Sequence, residues 1–259
     1  MRFSIRRPLV ALFAGCFSVA AFAAELDIAG LKLGMSPAQA KAALVAFGIA
    51  PARIQESRSS YRYTDGVNSH STAEFLDRMV ADKMEIRNGL RVGDTFNLHF
   101  APPPKGGQLV MIWRKTDNPV DPPTVGEYRT ALFDKYGKPD LDRPGSPIWL
   151  DPHGAVNCTV NAPQNVSSVM SSIYMGSDKT GWRLNHLRNV NKVRDPSQCA
   201  RMLEYTIPTS PNQPAKRVTA VLTDVPGWGT AYLSTLEWIE AQRQAAVKAR
   251  ESKASKPRL

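Results

Sequence analysis

The sequence lacks a long apolar run. Its longest such stretch, residues 9–22, is interrupted by Gly15 and Ser18 and falls short of the roughly 20 residues that a membrane-spanning helix needs. Hydrophobic residues make up 42% of the 259 positions and charged residues 22%. This composition excludes a polytopic membrane protein, a collagen and a wholly disordered chain. The chain is long enough for one large core or two small ones.

The sequence also lacks the motifs of common catalytic sites. It contains no G-x-S-x-G elbow, no P-loop and no G-x-G-x-x-G after a strand. The Lys179-Thr180-Gly181 run matches penicillin-recognising serine enzymes, but no serine precedes a lysine by three positions, as their nucleophile does. None of the histidines has the spacing of metal ligands. We therefore expect no catalysis, no cofactor and no metal. The histidines are His70, His99, His153 and His186.

Residues 1–23 have the pattern of an export signal. Arginines precede the apolar residues 9–22, and Ala21 and Ala23 form the small-x-small pattern of a cleavage site. We expect a mature chain that begins at Ala24 and is periplasmic or secreted. Lipidation at Cys16 is the alternative, although the residues before it form a poor lipoprotein box.

Two cysteines remain after cleavage of the signal, Cys158 and Cys199. In an oxidising compartment an isolated pair is most simply a disulfide. It would close a loop of about forty residues, which is worth about 4 kcal/mol in the chain-entropy model. A metal site has little support, because neither cysteine has a CxxC partner.

Positive charge is concentrated at the C terminus. Residues 241–259 contain six basic residues and one acid, whereas the formal charge of the whole chain is +10. A nucleic-acid-binding protein is expected to carry its basic residues on a folded face, so we expect no nucleic-acid partner. We expect residues 249–259 to form a disordered basic tail that could instead bind an anionic envelope surface.

Two segments share the signals of a short capped helix. Ser36 and Thr124 are N-cap residues, and Gln39 and Glu127 follow them by three positions. Apolar residues recur at helical spacing after each cap. A glycine then ends each segment, at Gly48 and at Gly137.

A pair of strand-like runs follows each helix, residues 95–101 with 108–114 and residues 202–208 with 218–223. We predict an α+β fold of two degenerate helix-plus-antiparallel-sheet units with a C-terminal helix from about residue 230. The first unit would comprise residues 24–117 and the second residues 118–248.

Three local patterns complete the prediction. A capping box at Ser71 and Glu74 predicts a further helix. Residues 146–150 and 155–160 are strand-like, and residues 151–154 between them suit a type I turn. His99 alternates with Phe96, Leu98 and Phe100, so it should lie on the solvent side of its strand.

The run of residues 27–36, with a short helix and Gly48 after it, resembles the opening of a known repeat. This repeat is shared by the β-lactamase-inhibitor-protein fold and the small outer-membrane assembly lipoproteins. Residues 135–139 resemble the same helix exit. The whole chain is also similar to a group of periplasmic proteins from proteobacteria. The resemblance implies that helices cover one sheet face and leave the other free to bind a protein.

The strongest candidates for a binding surface are Arg58, Tyr61, Arg62 and Tyr63, because tyrosine and arginine are enriched at protein interfaces. The alternative is a half-buried edge strand with its tyrosines inward. We predict a periplasmic binding or envelope-associated interaction module of unknown partner. A hydrolase whose site is assembled only in three dimensions is the alternative.

Overall fold

The computed structural model describes residues 26–158 and 196–253. The predicted α+β class is confirmed: these residues form a large antiparallel sheet, a small hairpin and three α-helices. Residues 1–25 with the predicted export signal, residues 159–195 with the Lys179 motif and His186, and residues 254–259 lie outside the described residues.

The described elements fall into two groups along the chain. The first comprises α1 (Pro37–Ala46), β1 (Ile54–Ser59), β2 (Arg62–Thr64), β3 (Ser69–Ser71), β4 (Phe75–Arg87), β5 (Leu90–Phe100) and β6 (Leu109–Asp117). The second comprises α2 (Val125–Tyr136), β7 (Leu141–Arg143), β8 (Ser146–Asp151), β9 (Arg201–Thr206), β10 (Arg217–Thr223) and α3 (Val225–Lys253). Short 3-10 turns span Pro51–Arg53 and Pro196–Gln198.

Eight strands form one sheet in the order β1-β4-β5-β6-β10-β9-β8-β7, and every neighbouring pair is antiparallel. β2 and β3 form the separate hairpin. Each group contributes four adjacent strands, and β6 and β10 join the two groups at the centre. The predicted strand pairs correspond to β5 with β6 and β9 with β10. Whether the groups superpose as repeats stays a prediction.

The capping boxes predicted at Ser36 and Thr124 are present. The Ser36 hydroxyl accepts a hydrogen bond from the Gln39 amide at 3.3 Å, and the Gln39 side chain accepts one from the Ser36 amide at 2.9 Å. The Glu127 carboxylate accepts the corresponding bond from the Thr124 amide at 2.8 Å. These bonds satisfy backbone donors that the first turn leaves open.

The helix predicted after Ser71 is wrong, because this segment is strand β4. Met79 and Ala81 are buried two positions apart, and β4 pairs with β5 along ten residues. This cross-strand pairing outweighs the local cap signal. Residues 155–158 are not a strand either, because Val156 makes only a single bridge to Cys199.

The turn after β8 and the last helix also differ from their predictions. The Ala155 amide donates to the Pro152 carbonyl, so the turn lies one residue later than expected. α3 begins at Val225 because the Asp224 carboxylate accepts from the Gly227 amide at 2.8 Å and caps it. The predicted disorder from residue 249 is wrong as far as Lys253, where α3 ends.

One face of the sheet packs against α1 and α2. Phe96, Leu98 and Phe100 project from β5 into this core, as their alternation predicts. Tyr136 from α2 packs among Trp149 and Tyr205, and its hydroxyl donates to the Asp27 carbonyl at 2.6 Å. The core therefore continues across both groups of strands.

α3 covers part of the opposite face. Trp228 and Ala231 are buried against Met111, Met202 and Val221, which project from the three central strands β6, β9 and β10. The face that the resemblance leaves free is thus partly occupied by the chain itself. Within the described parts of the chain, no helix combines the length and apolar character needed to cross a membrane.

Cys158 and Cys199 form the predicted disulfide, with their Cα atoms 5.6 Å apart. The bridge and the neighbouring Val225 make a small buried cluster. It thereby attaches the segment after β8 to the start of β9 and to the N-terminal end of α3.

We predict that Gly93→Ala destabilises the protein by at least about 3 kcal/mol. A Cβ at Gly93 would lie 1.9 Å from the carbonyl oxygen of Lys83, a backbone atom of the paired strand. Urea unfolding followed by circular dichroism measures the loss.

Gly89→Ala is the matched control in the turn of the same hairpin. Gly89 also has a positive φ of 75°, but nothing lies within 4 Å of its added Cβ, so this change should cost only about 1 kcal/mol. Equal losses in the two variants would contradict the clash.

Candidate binding face

The part of the sheet that α3 leaves uncovered contains a groove of about 840 Å³. α3 follows β10 after Thr223, so it covers that end of β10, whereas the groove lies at the Arg217 end. Successive strand residues point to opposite faces, and alternate residues of β4 therefore line one wall. The lining residues are Val80, Asp82, Met84, Arg91, Thr95, Lys115, Asp117, Pro119, Lys216 and Arg217.

A glycine explains why the sheet is indented here. Gly93 pairs with Met84 on one side and with Asp117 on the other. Because it has no side chain, nothing projects between the two neighbours. The backbone lies too close for a Cβ at this position. The missing side chain also leaves room for the groove.

Ion pairs fix several of the charged side chains. Asp117 accepts hydrogen bonds from Lys115 Nζ and Arg217 Nε, both at 2.7 Å. Asp82 pairs with Arg53 from the 3-10 turn before β1. Within residues 26–158 and 196–253, Arg91 and Lys216 have no carboxylate within ion-pair distance. The groove therefore has an excess of positive charge.

The Asp117 carboxylate stays ionised in this setting. Its partial burial alone would raise its pKa, but the hydrogen bonds and charges of Lys115 and Arg217 outweigh that effect. The pKa of Asp117 is therefore lower than the usual value for aspartate. Lys115 and Arg217 remain oriented by this carboxylate as the pH falls towards the acid range.

Apolar side chains accompany the cations. Val80 and Met84 lie on the groove wall, and Pro119 lies at its end. Ile86 is 67% exposed and is the direct cross-strand partner of Arg91. The apolar surface of Ile86 therefore remains in water next to a cation.

The structure separates the four residues predicted to bind a partner. Tyr61 and Tyr63 are half-buried, whereas Arg58 and Arg62 are exposed. The Tyr61 ring stacks on Phe75 with centroids 5.2 Å apart. Burial raises the pKa of its hydroxyl, as do the nearby Asp77 and Tyr232. This placement corresponds to the alternative of inward tyrosines and outward arginines.

The β2–β3 hairpin is attached to the end of α3. Tyr63 stacks on His70 at 5.3 Å, and His70 Nε2 lies 3.2 Å from the buried carboxylate of Asp65. Arg250 Nη1 from α3 donates to the Asp65 carbonyl at 2.6 Å. The hairpin with its tyrosines is thus part of the folded body.

Two histidines pair with carboxylates. They are His70 with Asp65 and His153 with Asp140, the latter with Nδ1 and Oδ1 2.6 Å apart. In the part of the chain that the structure describes, neither imidazole hydrogen-bonds a serine, threonine or cysteine. Nor do the described residues include a cluster of three or more side chains that could hold a metal ion.

No family model, curated protein or solved structure matches this chain. The resemblance to the inhibitor-protein and assembly-lipoprotein repeat therefore stays a prediction.

The groove was not predicted from the sequence, although part of its signal is present there. Val80 and Asp82 alternate with the buried Met79 and Ala81, which is typical of a strand, but the capping box at Ser71 suggested a helix there. Arg91 and Lys216 are far apart in the sequence and meet only because β5, β6 and β10 are neighbours.

We predict that Tyr61→Ala lowers the free energy of unfolding by about 2 kcal/mol. The change removes a half-buried ring stacked on Phe75. Arg62→Ala is the control, because Arg62 is exposed on the neighbouring strand and should change stability by less than about 0.5 kcal/mol. Chemical denaturation of both variants measures this. A neutral Tyr61→Ala would show that the tyrosine is available as a surface residue.

We predict that His99 makes the protein less stable as the pH falls from about 6.5 to about 4. Burial lowers the pKa of His99 to about 4, and the Arg78 charge opposite it adds to the shift. The unfolded chain binds a proton at higher pH than the folded chain, so protonation favours unfolding. At pH 5 this amounts to about 2 kcal/mol relative to pH 7.

Urea unfolding at both pH values measures the difference. His99→Gln should remove this part of the pH dependence, whatever its effect on stability at pH 7. His153→Gln is the control, because that imidazole is 82% exposed in the turn after β8. An unchanged pH dependence in His99→Gln would contradict the assignment.

Proposed function

We propose that this protein is an exported binding or envelope-associated interaction module without catalytic activity. It would bind a macromolecular partner through the groove on the helix-free part of the sheet. The observation that carries the proposal is this groove of about 840 Å³, lined by charged and apolar side chains from four strands.

The groove has the properties of a recognition surface. Its lining residues come from hydrogen-bonded strands, so their backbone positions are fixed before a partner arrives, which lowers the entropic cost of binding. Asp117 fixes two of the cations as well. A surface of mixed apolar and charged character then offers both burial and orientation.

The compartment is proposed from two independent features. Residues 1–23 have the composition of an export signal. The disulfide between Cys158 and Cys199 is a feature that persists in oxidising compartments. We propose that the protein works in the periplasm or is secreted.

The proposed architecture is a pair of units, residues 24–117 and 118–248, each with four adjacent strands of the large sheet and one helix, α1 or α2, against the same face, and with α3 at the end of the second unit. The unit boundary falls between the end of β6 at Asp117 and the start of α2 at Val125. With the last strands of the two units side by side, the groove would lie across their junction. Arg58 and Arg62, exposed near the β2–β3 hairpin, are candidates for a second contact with a partner.

We predict that a photoreactive amino acid at position 84 crosslinks to a discrete partner in cells that export this protein. Met84 lines the groove, and a bound partner would lie within reach of its side chain. The same probe at position 45 is the control, because Val45 is 42% exposed on α1, on the other side of the sheet. Denaturing electrophoresis after illumination detects the adduct.

An adduct from position 84 alone would support the proposed face. Equal labelling from both positions, or labelling only from position 45, would contradict it.

A further inference from the structure

We propose that the partner presents an acidic polypeptide segment with interspersed apolar side chains, and that this segment occupies the groove. The inference rests on the proposed function and specifies the chemistry of the ligand. It is carried by the charge balance of the groove, by the fixed orientation of its cations and by its apolar wall.

Two cations of the groove are available to pair with a negatively charged ligand. The carboxylates of Asp82 and Asp117 are each occupied by cations of this chain. Arg91 and Lys216 line the same groove, and across the described residues neither has an acidic neighbour within ion-pair distance. Two exposed cations without counter-ions attract a negatively charged ligand and accelerate its association.

The paired cations add directional binding groups. Arg217 uses Nε to bond Asp117, and its side chain is 69% exposed. The remaining guanidinium N–H groups are donors that a carboxylate can accept. Because Asp117 already orients this guanidinium, less side-chain entropy is lost when a second carboxylate binds.

The apolar residues of the groove indicate which kind of anionic ligand fits it. Val80, Met84 and Pro119 line the groove, and the exposed Ile86 lies opposite Arg91 on the adjoining strand. Burying these side chains stabilises a complex only if the ligand has apolar groups of its own. A polypeptide that combines acidic and apolar residues supplies both, whereas a highly charged glycan supplies only the charge.

The shape of the site favours a segment over a bilayer. Lys115 is 31% exposed and lies between strands β5 and β10 in the groove, not on a projecting tip. A flat anionic surface has less access to a side chain within the sheet than to one on a projecting tip. An extended peptide segment can enter the groove and reach Arg91, Lys115 and Lys216 together.

The test measures binding of a labelled peptide that alternates glutamate and valine, by fluorescence anisotropy at near-physiological ionic strength. The protein is the mature disulfide-bonded chain. We expect saturable binding that weakens by about tenfold or more in the double variant Arg91→Glu with Lys216→Glu. A peptide that alternates lysine and valine should not bind.

The matched control is the double variant Lys138→Glu with Lys248→Glu. Both lysines are exposed, lie outside the groove and have no acidic partner within the described chain. The control changes the net charge by the same amount. It should weaken peptide binding by less than about twofold, because exposed charges at a distance are screened.

Three results would overturn the inference. The first is an equal loss in the two double variants, which would show that only net charge matters. The second is failure of the acidic peptide to bind. The third is a groove-dependent association with heparin or with phosphatidylglycerol vesicles that exceeds peptide binding, which would assign the groove to a glycan or to a membrane.

Crosslinking in the Arg91→Glu, Lys216→Glu background separates this inference from the proposed function. An undiminished adduct from position 84 would preserve the binding face and refute the acidic segment. Loss of the adduct in that background alone would support both. No adduct in the unmodified background would refute the proposed function, and peptide binding would then decide the ligand chemistry by itself.

Discussion

The pairing of β6 with β10 is the constraint on which the rest of the structure depends. Seven residue pairs, from Asp117 with Arg217 to Met111 with Thr223, join the two groups of strands into one sheet. This continuity places α1 and α2 against the same face. It also determines what lies on the opposite face. One end of the strand pair leads into α3, and the other end supplies the ion pair between Asp117 and Arg217 in the groove.

The contacts that α3 makes with the rest of the protein change in character along the helix. Near its start it buries Trp228 and Ala231 against apolar side chains. Further along, α3 buries the polar Thr235, whose hydroxyl donates to the Pro103 carbonyl, and Arg250 donates to the Asp65 carbonyl. Polar groups between a helix and a sheet stabilise the contact less than apolar ones, since their desolvation offsets much of the gain. The first turns of α3 are therefore its firm attachment.

The local signals in the sequence were sufficient for some elements and not for others. Ser36 and Thr124 predicted their helices because a capping box is satisfied within one turn. The same signal at Ser71 failed because β4 gains ten residue pairs with β5, which no local pattern reports. Asp224 is also a local cap signal in the sequence, and it marks the start of α3 several residues before the predicted position.

The candidate site was less accessible to sequence reasoning than the fold. Tyr61 and Tyr63 were selected for their residue types, yet their partners Phe75 and His70 become neighbours only through the hairpin. His99 lies on the face opposite Phe96, as predicted, but the prediction that this is the solvent side was wrong, because His99 is half-buried. Its burial could not be foreseen, because α3 comes from the far end of the chain. The disulfide needed only the compartment and the number of cysteines, and it was predicted.

Arg250 also joins distant parts: its hydrogen bond to the Asp65 carbonyl connects residues 185 positions apart. If the last turns of α3 unwind, the hairpin loses this connection, so the two segments should open together and exchange their amide hydrogens as one cooperative unit.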